Sequence, residues 1–230
     1  MSSEKLAREL YGTRKGDLAF IVGMGPSIVY AKNKLKEPRP NVFRIAINKA
    51  IEEIPAEYWF WIDGDAYEKS KDHPNAKAAI RIGVDKFRDM YDPETFVWER
   101  CLDDLERDLK DGKLVHRATS LIGAISVAMR MGSCRIVMVG CDNHVMPHEI
   151  KQREAEDAAK DWNSVYTFTF ARINEALANT RKWLPKEVML RDASKIGTQW
   201  GDLPLKKTTI GEEIALNSDF HKWLEERNVR

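Results

Sequence analysis

The chain has 230 residues, 43% hydrophobic and 32% charged, and its 37 basic and 36 acidic side chains leave a net charge of +1. That length carries one α/β domain with a substantial core, while the near-zero charge excludes a global pull toward nucleic acid or anionic membrane and leaves only local patches. No apolar run reaches the ~18 residues of a membrane helix and no signal-peptide pattern opens the chain. The three cysteines (Cys101, Cys134, Cys141) form no Cys-x-x-Cys pair, so reduced thiols in a cytoplasmic protein are expected.

In chain order, residues 2–14 predict a short amphipathic helix with a Ser cap and Gly12 as its stop. The apolar run Leu18–Val22 predicts a first strand, cut off by Gly23-Met24-Gly25-Pro26-Ser27 and followed by a short helix, Ile28–Leu35. Val42–Ile47 reads as the second strand, ending at Asn48, and residues 50–54 as a helical turn closed by Pro55. Residues 58–62 read as a third strand, buried on both faces and ended by Asp63-Gly64-Asp65. The polar stretch 66–93 is expected to be helical, with breaks at His73-Pro74 and Asp92-Pro93.

Residues 95–98 predict another short strand, 101–110 a charged helix, and 113–117 an extended segment. Thr119-Ser120 are expected to cap an apolar helix over 121–131, whose small residues suit close packing on a sheet. Residues 135–140 give the clearest strand, closed by Cys141-Asp142. Residues 149–184 are expected to be mostly helical with an interruption at 165–170, 188–191 a last strand, and 211–227 a C-terminal helix. Without repeat, low-complexity tract or linker, one domain over 1–230 is expected, with its core at about 17–215. Strands alternating with helices imply an α/β fold: a mostly parallel sheet with helices on both faces.

Ligands bind such sheets outside the carboxyl ends of the strands. Standing there are the turn Gly23, Met24, Gly25, Pro26 and Ser27, then Asn48, Asp63 and Asp65, Thr119 and Ser120, and Asp142 with His144 and His148. Glycines let a backbone approach a ligand, and a helix N-terminus favours phosphate. The turn is neither the dinucleotide fingerprint, since position 28 is Ile, nor a P-loop, so a purely structural βα turn stands beside the phosphate reading. An Asn48 amide suits a base or ribose, or simply a strand-end turn; Asp63 suits a ribose or metal, or a helix cap; Ser120 suits a ligand, a cap, or both. His144 and His148 are candidate general bases near neutral pH, or exposed loop histidines. A zinc site is not expected, because Asp142, His144 and His148 lack a fixed register and the cysteines offer no second arm. Lys206-Lys207 read as a solvated face, and the seven tryptophans as core filling and walls of a cleft.

Gly-x-Gly-Pro-Ser after the first strand, Ile47-Asn48 after the second, Thr119-Ser120 opening a small-residue helix, and the run from Ile136 to Asp142 occur in that order. Together with Gly197-Thr-Gln-Trp-Gly-Asp-Leu-Pro204, they resemble the bacterial sialyltransferase-type glycosyltransferases. The resemblance extends to the related domain of Maf flagellin glycosyltransferases and archaeal hydroxymethylpterin pyrophosphokinases. It implies a Rossmann-like single domain with a lid, and a nucleotide of a CMP-activated sugar surrounded by Gly23, Gly25, Pro26, Ser27, Asn48 and Ser120. It implies no metal. Two departures stand out: Met24 replaces the usual Asn, and residues 163–168, where the family's catalytic histidine lies, contain no histidine. His148, His144 or Tyr166 are the substitutes.

The function expected is therefore transfer of a sugar from a nucleotide-activated donor to an acceptor hydroxyl, with His148 or His144 as base and Asp142 orienting the loop. The acceptor stays open among glycan, protein, nucleobase and small molecule. Two alternatives remain: an ATP- and Mg2+-dependent pyrophosphokinase-like phosphotransferase, with Asp63 and Asp65 holding the metal, and a non-catalytic nucleotide binder. Homo-oligomerisation is a further expectation, since related transferases often assemble.

Overall fold

A computed structural model describes residues 5–98, 119–142, 186–194 and 205–226. Eight strands are present among them: β1 (Leu18–Val22), β2 (Val42–Ile47), β3 (Tyr58–Phe60), β4 (Ile80–Val84), β5 (Phe96–Trp98), β6 (Arg135–Val139), β7 (Met189–Asp192) and β8 (Lys206–Lys207). The helices are α1 (Ile28–Leu35), α2 (Ala50–Glu53), α3 (Gly64–Ser70), α4 (Pro74–Ala78), α5 (Ser120–Arg130) and α6 (Ile210–Glu226). The strands form one sheet in the order β5-β4-β3-β2-β1-β6-β7-β8, and every pairing is parallel. The expected α/β, Rossmann-like architecture is the one observed.

Side chains alternate across a strand, and here both alternating sets are apolar. Ala19 and Ile21 of β1, with Phe43 and Ile45 of β2, face one layer completed by Ile122, Ile125 and Ala128 of α5. Leu18, Phe20 and Val22 face the other, completed by Ala31 and Leu35 of α1, Ile51 of α2 and Ile210 of α6. Two covered faces are what a parallel sheet requires. Trp59, Trp61 and Trp98 are fully buried, so these three fill the core and do not wall a cleft.

Arg44 of β2 is a buried charge on this inner lattice, 5% exposed. Its Nε donates to Glu57 Oε2 at 3.0 Å and its Nη1 to the Lys36 carbonyl at 3.1 Å and to the Leu35 carbonyl, so a cation sits on the last carbonyls of α1. Burial alone would raise the Glu57 carboxyl, but hydrogen bonds and charge from Arg44 outweigh it and hold the group below its ordinary value.

Two expectations are corrected. Residues 2–14 do not make a helix where they are described; a 3-10 turn spans Ala7–Leu10, and Leu6 bridges to Val97 at the sheet edge, with Val97 N–H donating to the Lys5 carbonyl at 2.9 Å. A short isolated helix is marginal, and edge pairing plus burial of Ala7 and Leu10 prevails. The stretch 66–93 holds β4 between short helices. Gly83 interrupts its apolar pattern, yet glycine is needed there, because a Cβ would stand 2.4 Å from the Tyr91 ring. Lys206 is exposed, as expected of a solvated face, and Lys206-Lys207 pair with β7 as an edge strand, a place where lysines are common. The elements expected over 101–110, 113–117 and 149–184 lie outside the described residues. Among the described residues, no helix is long and apolar enough to cross a membrane.

Candidate functional site

From β1 the chain builds outward through β2, β3, β4 and β5, then returns to place β6 on the other side of β1. This reversal makes the carboxyl ends of β1 and β6 a topological switch point, the place where open α/β sheets take ligands. The turn after β1 and the turn after β6 meet there in close contact. Gly25 N–H donates to the Gly140 carbonyl at 2.6 Å. A Cβ on Gly23 would lie 2.6 Å from Gly140 O, one on Gly25 would lie 2.5 Å from Asp142 Oδ2, and one on Gly140 would lie 2.4 Å from Gly23 O. Gly140 also has a φ of +63°, which favours glycine. Gly23 and Gly25 are thus accounted for by the packing of two turns against each other.

Asp142 completes this contact. Its side chain is fully buried, accepts from Ser27 N–H at 2.7 Å, and accepts from the Ser27 hydroxyl as well. A carboxylate of the chain itself therefore occupies the positive end of α1, the position where sequence placed a phosphate. Asp142 is held in this packed contact between the two turns. Cys141 beside it is held as the thiol: burial pushes its pKa up, and the Asp192 and Asp142 carboxylates add to the shift. Met24, 43% exposed, stands at the tip of the turn, with Pro26 half-buried behind it.

A second group faces the same edge. Asn48, directly after β2, has a φ of +50°, uncommon for a residue other than glycine. Its backbone is tied down on both sides, N–H to the Phe60 carbonyl at 3.0 Å and C=O to Trp59 Nε1 at 2.8 Å. Its half-buried amide comes within 3.4 Å of the Ser120 hydroxyl, which donates to Asn48 Oδ1. Thr119 is the cap of α5, its Oγ1 accepting from Ile122 N–H at 3.1 Å. Ser120 is therefore the first residue of an 11-residue helix, its hydroxyl released from capping. Asp63 caps α3 by accepting from Asp65 N–H at 3.3 Å, and both carboxylates are exposed.

No protein-family model matches the chain, and no curated protein matches it. Among solved structures it resembles the MAf glycosyltransferase from Magnetospirillum magneticum AMB-1, at 15% identity and a TM-score of 0.54. The two share a fold. The match covers 95% of this chain but 42% of the other, so the chain spans less than half the length of that transferase.

Of the residues singled out from sequence, the structure brings Gly23, Gly25, Ser27 and Asp142 into one packed contact, and Asn48 with Ser120 into another. Asp63 and Asp65 stand apart at the end of β3, engaged with each other. His144, His148 and Tyr166 lie outside the described residues. Sequence reasoning missed Gly140 and the Asp142–Ser27 pairing. A glycine ending an apolar strand, in a chain whose first strand also ends in glycine, was the available signal. Among the described residues, no group of three or more His, Cys, Asp or Glu is placed to hold a metal ion.

Proposed function

We propose that the protein is a glycosyltransferase that moves a sugar from a nucleotide-activated donor of the CMP-sugar type to an acceptor hydroxyl. The observation that carries this reading is the Asn48–Ser120 pair at the carboxyl edge, next to the strand reversal, on a fold shared with a glycosyltransferase. Asn48 offers both a donor and an acceptor to a base or ribose. The rigid tie of its backbone keeps that amide in place before the ligand arrives.

In the proposed step, the acceptor oxygen attacks the anomeric carbon, the carbon–oxygen bond to the nucleotide phosphate breaks, and the phosphate leaves with the electron pair. The acceptor proton passes to His148 or His144. Charge on the leaving phosphate is met by first-turn N–H groups of α5 beside Ser120, a fixed electrostatic contribution. The end of α1 is assigned a different role, since Asp142 already fills it. Met24 and Pro26 form one wall of the donor site, and no metal is required. The reading places the protein in the cytoplasm.

One observation favours a second reading. Asp63 and Asp65 leave two exposed carboxylates on one helical turn, and Mg2+ is commonly held by one or two carboxylates plus substrate phosphates. That arrangement suits an ATP-dependent pyrophosphokinase.

The test is turnover of CMP-sugars with a panel of hydroxyl acceptors in EDTA, with Asp63→Ala and His148→Ala alongside. Sugar transfer that persists in EDTA and in Asp63→Ala but falls at least about 100-fold in His148→Ala supports the transferase. Turnover of ATP that requires Mg2+ and is lost in Asp63→Ala supports the pyrophosphokinase instead. Nucleotide binding without turnover of any donor overturns both and leaves a binding protein.

A further inference from the structure

α1 and α6 pack side by side on one face of the sheet, and each turns apolar side chains outward. On α6, Leu216 is 49% exposed and Phe220 41%, with Trp223 stacked on Phe220 at 6.4 Å between ring centroids. These positions repeat at four and three residues, so they form one stripe. On α1, Val29 is 59% exposed, more than any other large apolar residue described, and Tyr30 beside it is 49% exposed. Large apolar side chains exposed on each of two neighbouring helices point to an interaction site.

The charges around it differ in sign between the two helices. α1 carries Lys32 and Lys34 and no acidic residue, with Lys36 as its C-cap. Lys32 is taken by Glu53, but Lys34 and Lys36 are exposed. α6 exposes Glu212, Asp219, Glu225 and Glu226 against Lys222 alone. From this we infer that a second copy of the chain docks here, a two-fold axis setting α1 of each copy against α6 of the other. Val29 then meets the Leu216–Phe220 stripe, and Lys34 and Lys36 meet the acidic flank. A two-fold axis makes the match twice, once for each helix pair. Self-pairing of α6 alone would instead set acid against acid, which complementarity disfavours. The inference stands on these two helices and is independent of the catalytic reading.

The test is sedimentation velocity on the full chain across a range of concentrations, with circular dichroism to confirm that each variant is folded. The expected result is a dimer of twice 26.5 kDa. Phe220→Asp and Val29→Asp, both exposed, are expected to weaken it about 30-fold or more, as for residues central to an interface. Lys34→Glu is expected to weaken it at low salt, and addition of Asp219→Lys to restore it. A monomer at all concentrations up to about 100 µM overturns the inference, since an affinity weaker than this is beyond a specific interface of this kind. A dimer that Phe220→Asp and Val29→Asp leave unchanged overturns it as well.

Discussion

At the scale of single residues, contact between the turns after β1 and β6 explains more of the sequence than ligand binding does. A methyl on Gly25 has to enter space held by Asp142 Oδ2 and Gly140 O. Gly25→Ala is therefore expected to cost about 1–3 kcal/mol by urea denaturation, the usual range for overpacking. Asp142→Ala is expected to cost about 1–3 kcal/mol, because it removes the buried carboxylate to which the Ser27 N–H and hydroxyl donate; a variant as stable as the parent would contradict the pairing. Glu57 gives a pH signature. Its folded value is depressed below the ordinary 4.5, so its contribution is present in full above that pH and is lost as pH falls through the depressed value. Glu57→Gln is expected to cost about 1–3 kcal/mol at neutral pH, the gap to wild type closing under acid, as followed by denaturation at stepped pH.

At the scale of elements, the apolar strands were legible in the sequence, as were the short β3, β5 and β7, whereas β4 and the two-residue β8 were not. β1, β2 and β6 declare themselves because both faces are buried, so every residue of β1 is apolar. β4 hid because Arg81 is committed to Asp92 and Gly83 to the Tyr91 ring, contacts between segments that no local pattern records. The same limit applies at the site. Sequence placed Gly23, Ser27 and Asp142 on the correct edge, but the carboxylate that closes onto α1 comes from a residue 115 positions away. Asn48 and Ser120, separated by 72 positions, are also joined only by the fold. The division of labour at the start of α5 yields a prediction. Thr119→Ala, which removes the cap, is expected to lower stability by about 1 kcal/mol, whereas Ser120→Ala is expected to leave stability within about 0.5 kcal/mol. Chemical denaturation of both variants would contradict the assignment if the order were reversed.

At the scale of the whole molecule, the sheet order is what makes a site possible. Strands leave β1 in both directions, so the turn after β1, the end of β2 and the start of α5 converge on one edge. The contact between the turns after β1 and β6 is packed, while Asn48 and Ser120 pair at the same edge. The most direct test of the account is calorimetric titration of CMP into wild type, Asn48→Ala and Ser120→Ala, in EDTA. Metal-independent binding to wild type is expected, weakened about tenfold in each variant, the equivalent of one lost hydrogen bond to the ligand. Binding that needs Mg2+ and ATP, or CMP binding that neither substitution alters, would contradict it.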